Sequence, residues 1–384
     1  MHPQISTIDL LQLASGDRLS LQVYKFEGYQ CDKKVYIQAN LHGSEIVGNA
    51  VIHQLIEFLC GLDETQILGN IWLVPLCNPL GANQRSHFFS TGRFNSYDGK
   101  DWNRIFWDYE KECSDLEDFA KSQLNLSPLE IQQNYLKRIQ KAFAQEFEKL
   151  QSPSSLPYNE QYRYWLQSLC LDANYVIDIH SSSNDAIDYL FCFHDREESA
   201  KRFLLDYAIL MNENQYDGDA FDEAFMKPWL ALEKQLKALG KEIIFDIESW
   251  TLELGSGMEM KPESVNKGFE GIKNYLIYKG MLKLPNTSSN QTKTTFVKFI
   301  NKDNIQKYYS PTGGMIQNLL PLGSLVKPGD ILYQLLSFDK QEKFPRYIEV
   351  RAEKEGFIFD VVTNKASNQG DYVLTLIETE YRDS

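Results

Sequence analysis

From Lys33 to about Lys283, short and nearly unbroken apolar runs alternate with stretches of helical periodicity, a pattern few architectures accommodate. The runs VYIQANL (35–41), IWLVPLC (71–77), YVIDI (175–179), YLFCF (189–193) and IIFDI (243–247) suit strands buried on both faces. The alternation therefore predicts an α/β sheet flanked by helices. After the first run, Val47, Val51, Leu55 and Leu59 recur at helical spacing while Asn49, His53 and Glu57 form a polar stripe. His53 is accordingly read as a solvated helix residue. Between Trp107 and Cys170 the chain turns helical, with Ser127-Pro128-Leu129-Glu130 as a capping box carrying proline at the first helical position. Leu136, Ile139, Phe143, Phe147 and Leu150 continue its apolar face, so 107–170 reads as a helical insertion. Its acidic lead-in, Asp108 to Asp118, reads as solvated surface because nothing gathers those carboxylates on one point.

The polar, aperiodic run PNTSSNQTKT (285–294) reads as a linker between a domain at 1–284 and a β-rich domain at 295–384. Beyond it, TFVKFI, MIQNLL, ILYQLLSF, YIEVRA, FIFDVV and YVLTLIE are all strand-like. Gly329-Asp330-Ile331-Leu332 is echoed by Gly370-Asp371-Tyr372-Val373, as in two similar hairpin units. Across the 384 residues, 39 Lys+Arg against 53 Asp+Glu leave a net charge of −14, with no basic cluster of the kind that tracks phosphates. Nucleic acid and anionic membrane are therefore excluded as general partners. No apolar stretch reaches the roughly 18–20 residues that cross a bilayer, and the first residues lack a charged segment followed by an apolar one. With six scattered cysteines and no C-x-x-C pair, the expectation is a cytoplasmic protein with reduced thiols.

Chemistry concentrates at strand ends. The first run leads into Asn40-Leu41-His42-Gly43-Ser44-Glu45, which sets an imidazole and a carboxylate, both zinc-ligand types, where strand becomes helix. That spacing alone is common. Asp178-Ile179-His180 ends a second buried strand in the same way, and ligand sites in open α/β sheets gather beyond the carboxyl ends of strands. Two histidines and one carboxylate leave a fourth zinc position open for water, the catalytic arrangement. Glu253 alternates with Leu252 and Leu254 at the end of a strand-like stretch, so it faces either a cleft, as a general base, or solvent. In Asp98-Gly99-Lys100-Asp101-Trp102-Asn103-Arg104, a turn signal precedes an Asn-Arg pair able to bind a carboxylate. Asn78-Pro79-Leu80-Gly81 follows another buried strand and leads into that loop.

HGSE (42–45), NPLG (78–81), DWNR (101–104), DIHS (178–181) and TLELGSG (251–257) stand in the order and setting of the succinylglutamate desuccinylase/aspartoacylase family. The chain resembles that family over nearly all of its length beyond the first thirty or so residues; GFEGIKNYLIYKGML (268–282) is similar to its closing helix. The resemblance implies a zinc carboxypeptidase-like mixed sheet and a small all-β, lipoyl-like C-terminal domain. It implies one zinc ion per chain on His42, Glu45 and His180, with Glu253 as general base. Asn103 and Arg104 are implied to hold the carboxylate of a small N-acyl amino acid-like substrate; the sequence leaves monomer and homo-oligomer both open. A further arginine polarises the scissile carbonyl in such enzymes; Arg85 and Arg93 are the two candidates, and Arg93, nearer DWNR and after Ser-Thr-Gly, is preferred. Trp102 stands where the family has leucine, and the 107–170 insertion leaves the named substrate open. Asp339-Lys340 lacks the short hairpin of a lipoylated turn, so the tail reads as a structural or assembly module. The expected activity is zinc-dependent amide hydrolysis; the rivals are a metallocarboxypeptidase trimming peptide C-termini and a non-catalytic zinc-binding assembly protein.

Overall fold

The computed structural model describes residues 1–30, 32–84, 90–151, 157–211, 219–285, 292–338, 340 and 344–378. Among these described residues, ten strands precede the tail: β1 (Gln4–Gln12), β2 (Arg18–Phe26), β3 (Lys34–Ala39), β4 (Asn70–Val74), β5 (Tyr175–Ser182), β6 (Asp185–Ala186), β7 (Tyr189–Phe193), β8 (Tyr207–Met211), β9 (Glu248–Ser256) and β10 (Lys298–Asn301). All but β6 form one mixed sheet in the order β1-β2-β4-β3-β5-β9-β7-β8-β10. Its central strands β4, β3, β5 and β9 run parallel, which directs the ends of β3, β5 and β9 to one edge.

The apolar runs form these central strands because they are buried on both sides. Val35, Ile37, Ile177 and Leu252 pack under α1 (Val47–Cys60), while Tyr36, Val74 and Val176 face the opposite layer. In chain order the other helices are α2 (Pro79–Asn83), α3 (Tyr109–Glu112), α4 (Leu116–Ser122), α5 (Pro128–Glu148), α6 (Tyr158–Cys170), α7 (Glu197–Ala200), α8 (Phe221–Ala238) and α9 (Pro262–Tyr278). α9 joins α1 on the first face through Ile272, Tyr275 and Leu276; Tyr162 and Leu166 of α6 and Phe221 of α8 cover the second. His53 is exposed on α1, as its polar stripe requires. In the insertion, Ser127 and Glu130 form the reciprocal cap of α5, and Ile131, Tyr135, Ile139 and Phe143 pack against Trp229, Leu232 and Leu236 of α8.

Two expectations need correction, and three strands of the large sheet are added to those the sequence announces. Residues 243–247 are not a strand: Phe245 N–H donates to the Glu233 carboxylate at 2.8 Å, and the strand begins at Glu248. The N-terminal hairpin β1–β2 alternates apolar with polar residues, so no continuous apolar run announces it, while β8 is itself a short apolar run, YAILM, that belongs with the other buried strands. The acidic lead-in is not wholly solvated, because Asp108 is buried and meets Lys227 Nζ at 3.0 Å.

Glu233 also holds a buried guanidinium, with Arg196 Nη1 and Nη2 at 3.0 and 2.6 Å from its two oxygens. Glu233→Ala would strand that cation and free the Phe245 N–H. Breaking a buried pair from one side costs about 3–5 kcal/mol, so chemical denaturation should show a loss of that order; a loss below about 1 kcal/mol would mean the pair behaves as a surface pair.

The tail holds β11 (Ile305–Tyr309), β12 (Gly314–Gln317), β13 (Leu325–Val326), β14 (Ile331–Ser337), β15 (Arg346–Arg351), β16 (Gly356–Val361), β17 (Ala366–Ser367) and β18 (Tyr372–Glu378). They form two antiparallel sheets, β11-β18-β16-β13 and β15-β14-β12-β17, around Leu332, Leu335, Ile358, Val373 and Leu374. The sequence echo is structural. Gly329 and Gly370 both adopt positive φ, and Asp330 and Asp371 each accept a backbone N–H from three residues earlier, at 2.7 Å, just before β14 and β18. β10, which follows the linker-like run, adds to the large sheet beside β8; of that run, Thr292 and Lys293 lie against Arg202 and Asn274. Among the described residues no helix is long and apolar enough to cross a membrane, and Cys60, Cys77, Cys113, Cys170 and Cys192 carry free thiols.

Candidate metal centre and active site

Past β3 the chain turns at Asn40, which adopts φ 67°, a region asparagine tolerates better than most residues. Its side-chain amide donates to the carbonyls of His42 and Gly43 at 3.2 Å and of Glu45 at 3.3 Å, which folds HGSE into a compact turn. The NPLG segment clamps this turn: Asn78 Nδ2 donates to the Leu41 carbonyl at 2.8 Å, and its Oδ1 accepts Gly81 N–H at 2.9 Å. On the other side, Gly43 and Ser44 N–H donate to the carbonyls of Gly92 and Thr91 at 3.1 and 2.8 Å, which brings Arg93 over the turn.

The close approach leaves no room for side chains. A Cβ on Gly92, at φ 57°, would lie 2.1 Å from the Gly81 carbonyl oxygen. Gly92→Ala should therefore lower stability by about 1–3 kcal/mol and displace Arg93; a melting curve and activity equal to the parent's would show that the turn relaxes freely.

His42, Glu45 and His180 are buried, and each offers a ligand atom within 4.8 Å of the others. Both imidazoles present Nδ1 to Glu45, at 2.9 Å from Oε1 for His42 and 2.8 Å from Oε2 for His180. Both occupy Nε2 with a second carboxylate, Asp101 for His42 at 2.9 Å and Asp178 for His180 at 2.8 Å. A carboxylate behind each ring fixes its orientation and raises its basicity, as around metal-ligating histidines. Burial alone would raise the Glu45 carboxyl, but His42 and His180 override it and hold it well below the usual carboxylate range. Burial alone would lower the His180 imidazole; Asp178 and Glu45 override that and raise it. These three donors fit a divalent cation, which would replace the imidazole protons now shared with Glu45.

Glu253 stands beside His180 on the neighbouring strand β9, in register with it. Its Oε2 is buried without a hydrogen-bond partner, and its carboxyl is pushed up to about 7 by burial and by the Glu45 charge, against the pull of His180, Arg93 and His42. A buried carboxyl poised near neutrality suits proton transfer. Of its two sequence readings, the solvent-facing one does not match the buried Oε2.

Arg93 lies against the centre, with Nη1 at 3.4 Å from His42 Nδ1, 3.5 Å from Glu45 Oε1 and 3.3 Å from Ser183 Oγ, and Nε at 3.0 Å from Asp101 Oδ2. Arg85 lies outside the described residues. Asn103 is buried, and its Oδ1 accepts Phe221 N–H at 2.8 Å, tying it to the start of α8; its Nδ2 makes no hydrogen bond among the described residues. Arg104 is exposed and donates to the Asn103 carbonyl at 2.5 Å. Trp102 is buried edge-on against Tyr158 and Tyr162 of α6, so its extra bulk packs the insertion onto the DWNR loop.

Residue reasoning missed the roles of Asp101 and Asp178. The latter was legible, because it lies two residues before His180 in one strand and so on the same face. Asp101 comes from a separate loop that no local pattern links to His42.

A family model, the succinylglutamate desuccinylase/aspartoacylase catalytic domain, matches residues 31–278. Among solved structures, a candidate succinylglutamate desuccinylase/aspartoacylase of Shewanella frigidimarina superposes with a TM-score of 0.87 at 26% identity, covering 99% of this chain and 98% of that one. A family protein of Shewanella amazonensis gives 0.84 at 29% identity, covering 97% and 98%. The ectoine utilization protein EutE (DoeB) of Ruegeria pomeroyi shares the fold, with a TM-score of 0.65 at 16% identity over 98% and 95% of the two chains. No curated protein matches the chain.

Proposed function

The chain belongs to the succinylglutamate desuccinylase/aspartoacylase family, and from that premise we propose that it is a zinc-dependent amidohydrolase acting on a small N-acyl amino acid or related carboxylate-bearing amide. The observation that carries the proposal is the convergence of two histidine Nδ1 atoms and Glu45 beside the buried, unpartnered Oε2 of Glu253. A zinc ion held by His42, Glu45 and His180 would supply Lewis acidity and lower the pKa of water toward about 7.

The chain's own groups account for the rest. Glu253 takes the proton of the attacking water and delivers it to the leaving amine. Arg93, already against the cluster, places its guanidinium charge where the carbonyl oxygen becomes an oxyanion. Asn103 Nδ2 and the Arg104 guanidinium are the donors assigned to the substrate carboxylate. The C-terminal β unit closes on the strand end beyond His180, where β16 pairs with β6.

Mass-spectrometric product analysis tests the reading on a mixed panel of N-acyl amino acids and short peptides. Free amino acid released from acylated substrates, stopped by a chelator and restored by zinc, is the expected result. Peptides shortened from the C-terminus would instead make the chain a carboxypeptidase, and silence across the panel would favour a non-catalytic zinc-binding role.

A further inference from the structure

The C-terminal β unit meets the preceding part of the chain in two ways. Apolar docking comes from Phe357, Phe359 and Ile377 against Ile209 and Ile300. Separately, β16 pairs antiparallel with β6, Asp360 opposite Ala186 and Val361 opposite Asp185, and Ile187 N–H donates to the Phe359 carbonyl at 3.1 Å. At this seam sits a largely buried carboxylate. Asp360 Oδ2 accepts from Ser182 Oγ at 2.6 Å, and Oδ1 accepts from Asn184 Nδ2 at 3.1 Å and from the Tyr372 hydroxyl at 2.5 Å.

The segment it grips is the end of β5. Ser182 lies two residues beyond His180, its carbonyl accepts Gly257 N–H at 2.5 Å just past β9, and Ser183 Oγ meets Arg93 at 3.3 Å. Residues 182–184 are thus tied to the tail on one side and to Arg93 and the end of the Glu253 strand on the other. Burying a carboxylate is costly unless its hydrogen bonds are made. The apolar contact already docks the tail, so the carboxylate calls for another explanation.

We propose that Asp360 is a positioning residue for the metal centre: through Ser182 and Asn184 it fixes the end of β5, and with it His180 and the Ser183 contact of Arg93. The proposal rests on the metal-site reading given above. It makes the C-terminal β unit part of the active site without contributing a group that touches substrate.

The test compares the parent chain with Asp360→Ala, Asp360→Asn and Ser182→Ala/Asn184→Ala, the last also combined with Asp360→Ala. Visible spectra of the cobalt(II)-loaded proteins, zinc affinity, kcat and KM, and melting temperature are measured. Removing an outer partner of a metal ligand typically weakens metal affinity or activity by about tenfold or more. Asp360→Ala, one contact further from the ligands, is expected to change the cobalt spectrum, weaken zinc binding by up to about tenfold and lower kcat more than it alters KM. Asp360→Asn should recover part of each, and Asp360→Ala should add nothing to the Ser182/Asn184 variant, since both break one linkage. Should Asp360→Ala fail to fold, the other variants carry the same readouts. An unchanged cobalt spectrum and zinc affinity in variants that melt with the parent would overturn the proposal. The spectrum and affinity need no substrate, so a parent inactive on every amide counts against the hydrolase reading alone. An active parent with indifferent variants counts against Asp360 alone, and a parent that binds neither metal ends both.

Discussion

Glu253→Gln is expected to lower kcat by about a hundredfold to ten-thousandfold, the range that positioned proton transfer supplies, while the protein still binds zinc. The amide keeps the size and strand position of the carboxylate but cannot accept the proton of water. A second consequence concerns stability without metal. The folded carboxyl is pushed up to about 7, whereas an unfolded glutamate titrates near about 4.3. An acid whose folded pKa is raised contributes stability that is fully present below the unfolded value and is lost as pH rises through the folded one. Metal-free parent protein should therefore lose stability between about pH 4.3 and pH 7 through this group. Metal-free Glu253→Gln should melt above the parent at pH 8, with the gap closing in acid. A bound cation favours the carboxylate and shrinks the gap. Parent-level turnover in the glutamine variant with zinc bound would remove Glu253 from the mechanism.

The second large effect is expected at the carboxylates behind the histidines. Asp178 holds His180 Nε2 at 2.8 Å and leaves Nδ1 facing Glu45. Asp178→Asn keeps the shape but weakens the orienting charge, and outer partners of this kind contribute about 10- to 100-fold to metal affinity. Zinc competition titration should show a loss in that range, with hydrolysis recovering at saturating zinc. His180→Ala, which removes a ligand outright, should not recover at any zinc concentration. Equal zinc affinity in Asp178→Asn and the parent would show that β5 alone sets the ring.

The residues that were legible in advance are those whose role is local. Val35–Leu41 and Tyr175–Ile179 announce buried strands by their own composition, and His42, Glu45 and His180 stand at the ends of those strands, where a parallel sheet exposes its ligand sites. The cap at Ser127 and Glu130 likewise needs only four residues. What could not be read depends on partners distant in sequence. Ile243–Ile247 has strand composition, yet Glu233 on α8 claims its backbone and the strand starts later. Asp101 reaches His42 from a loop 59 residues on. Asp360 reaches Ser182 across 178 residues, and no pattern within either segment announces that contact.

Zinc content and product release, measured together on one preparation, bear most directly on a metal hydrolase built from His42, Glu45 and His180. Chelator-stripped, zinc-reloaded and gel-filtered protein would be analysed by elemental mass spectrometry and assayed on N-acyl amino acids, beside His180→Ala treated alike. The parent is expected to carry one zinc ion per chain and to release free amino acid, and His180→Ala to do neither. Undiminished zinc in His180→Ala, or full hydrolysis by the stripped parent, would contradict the assignment.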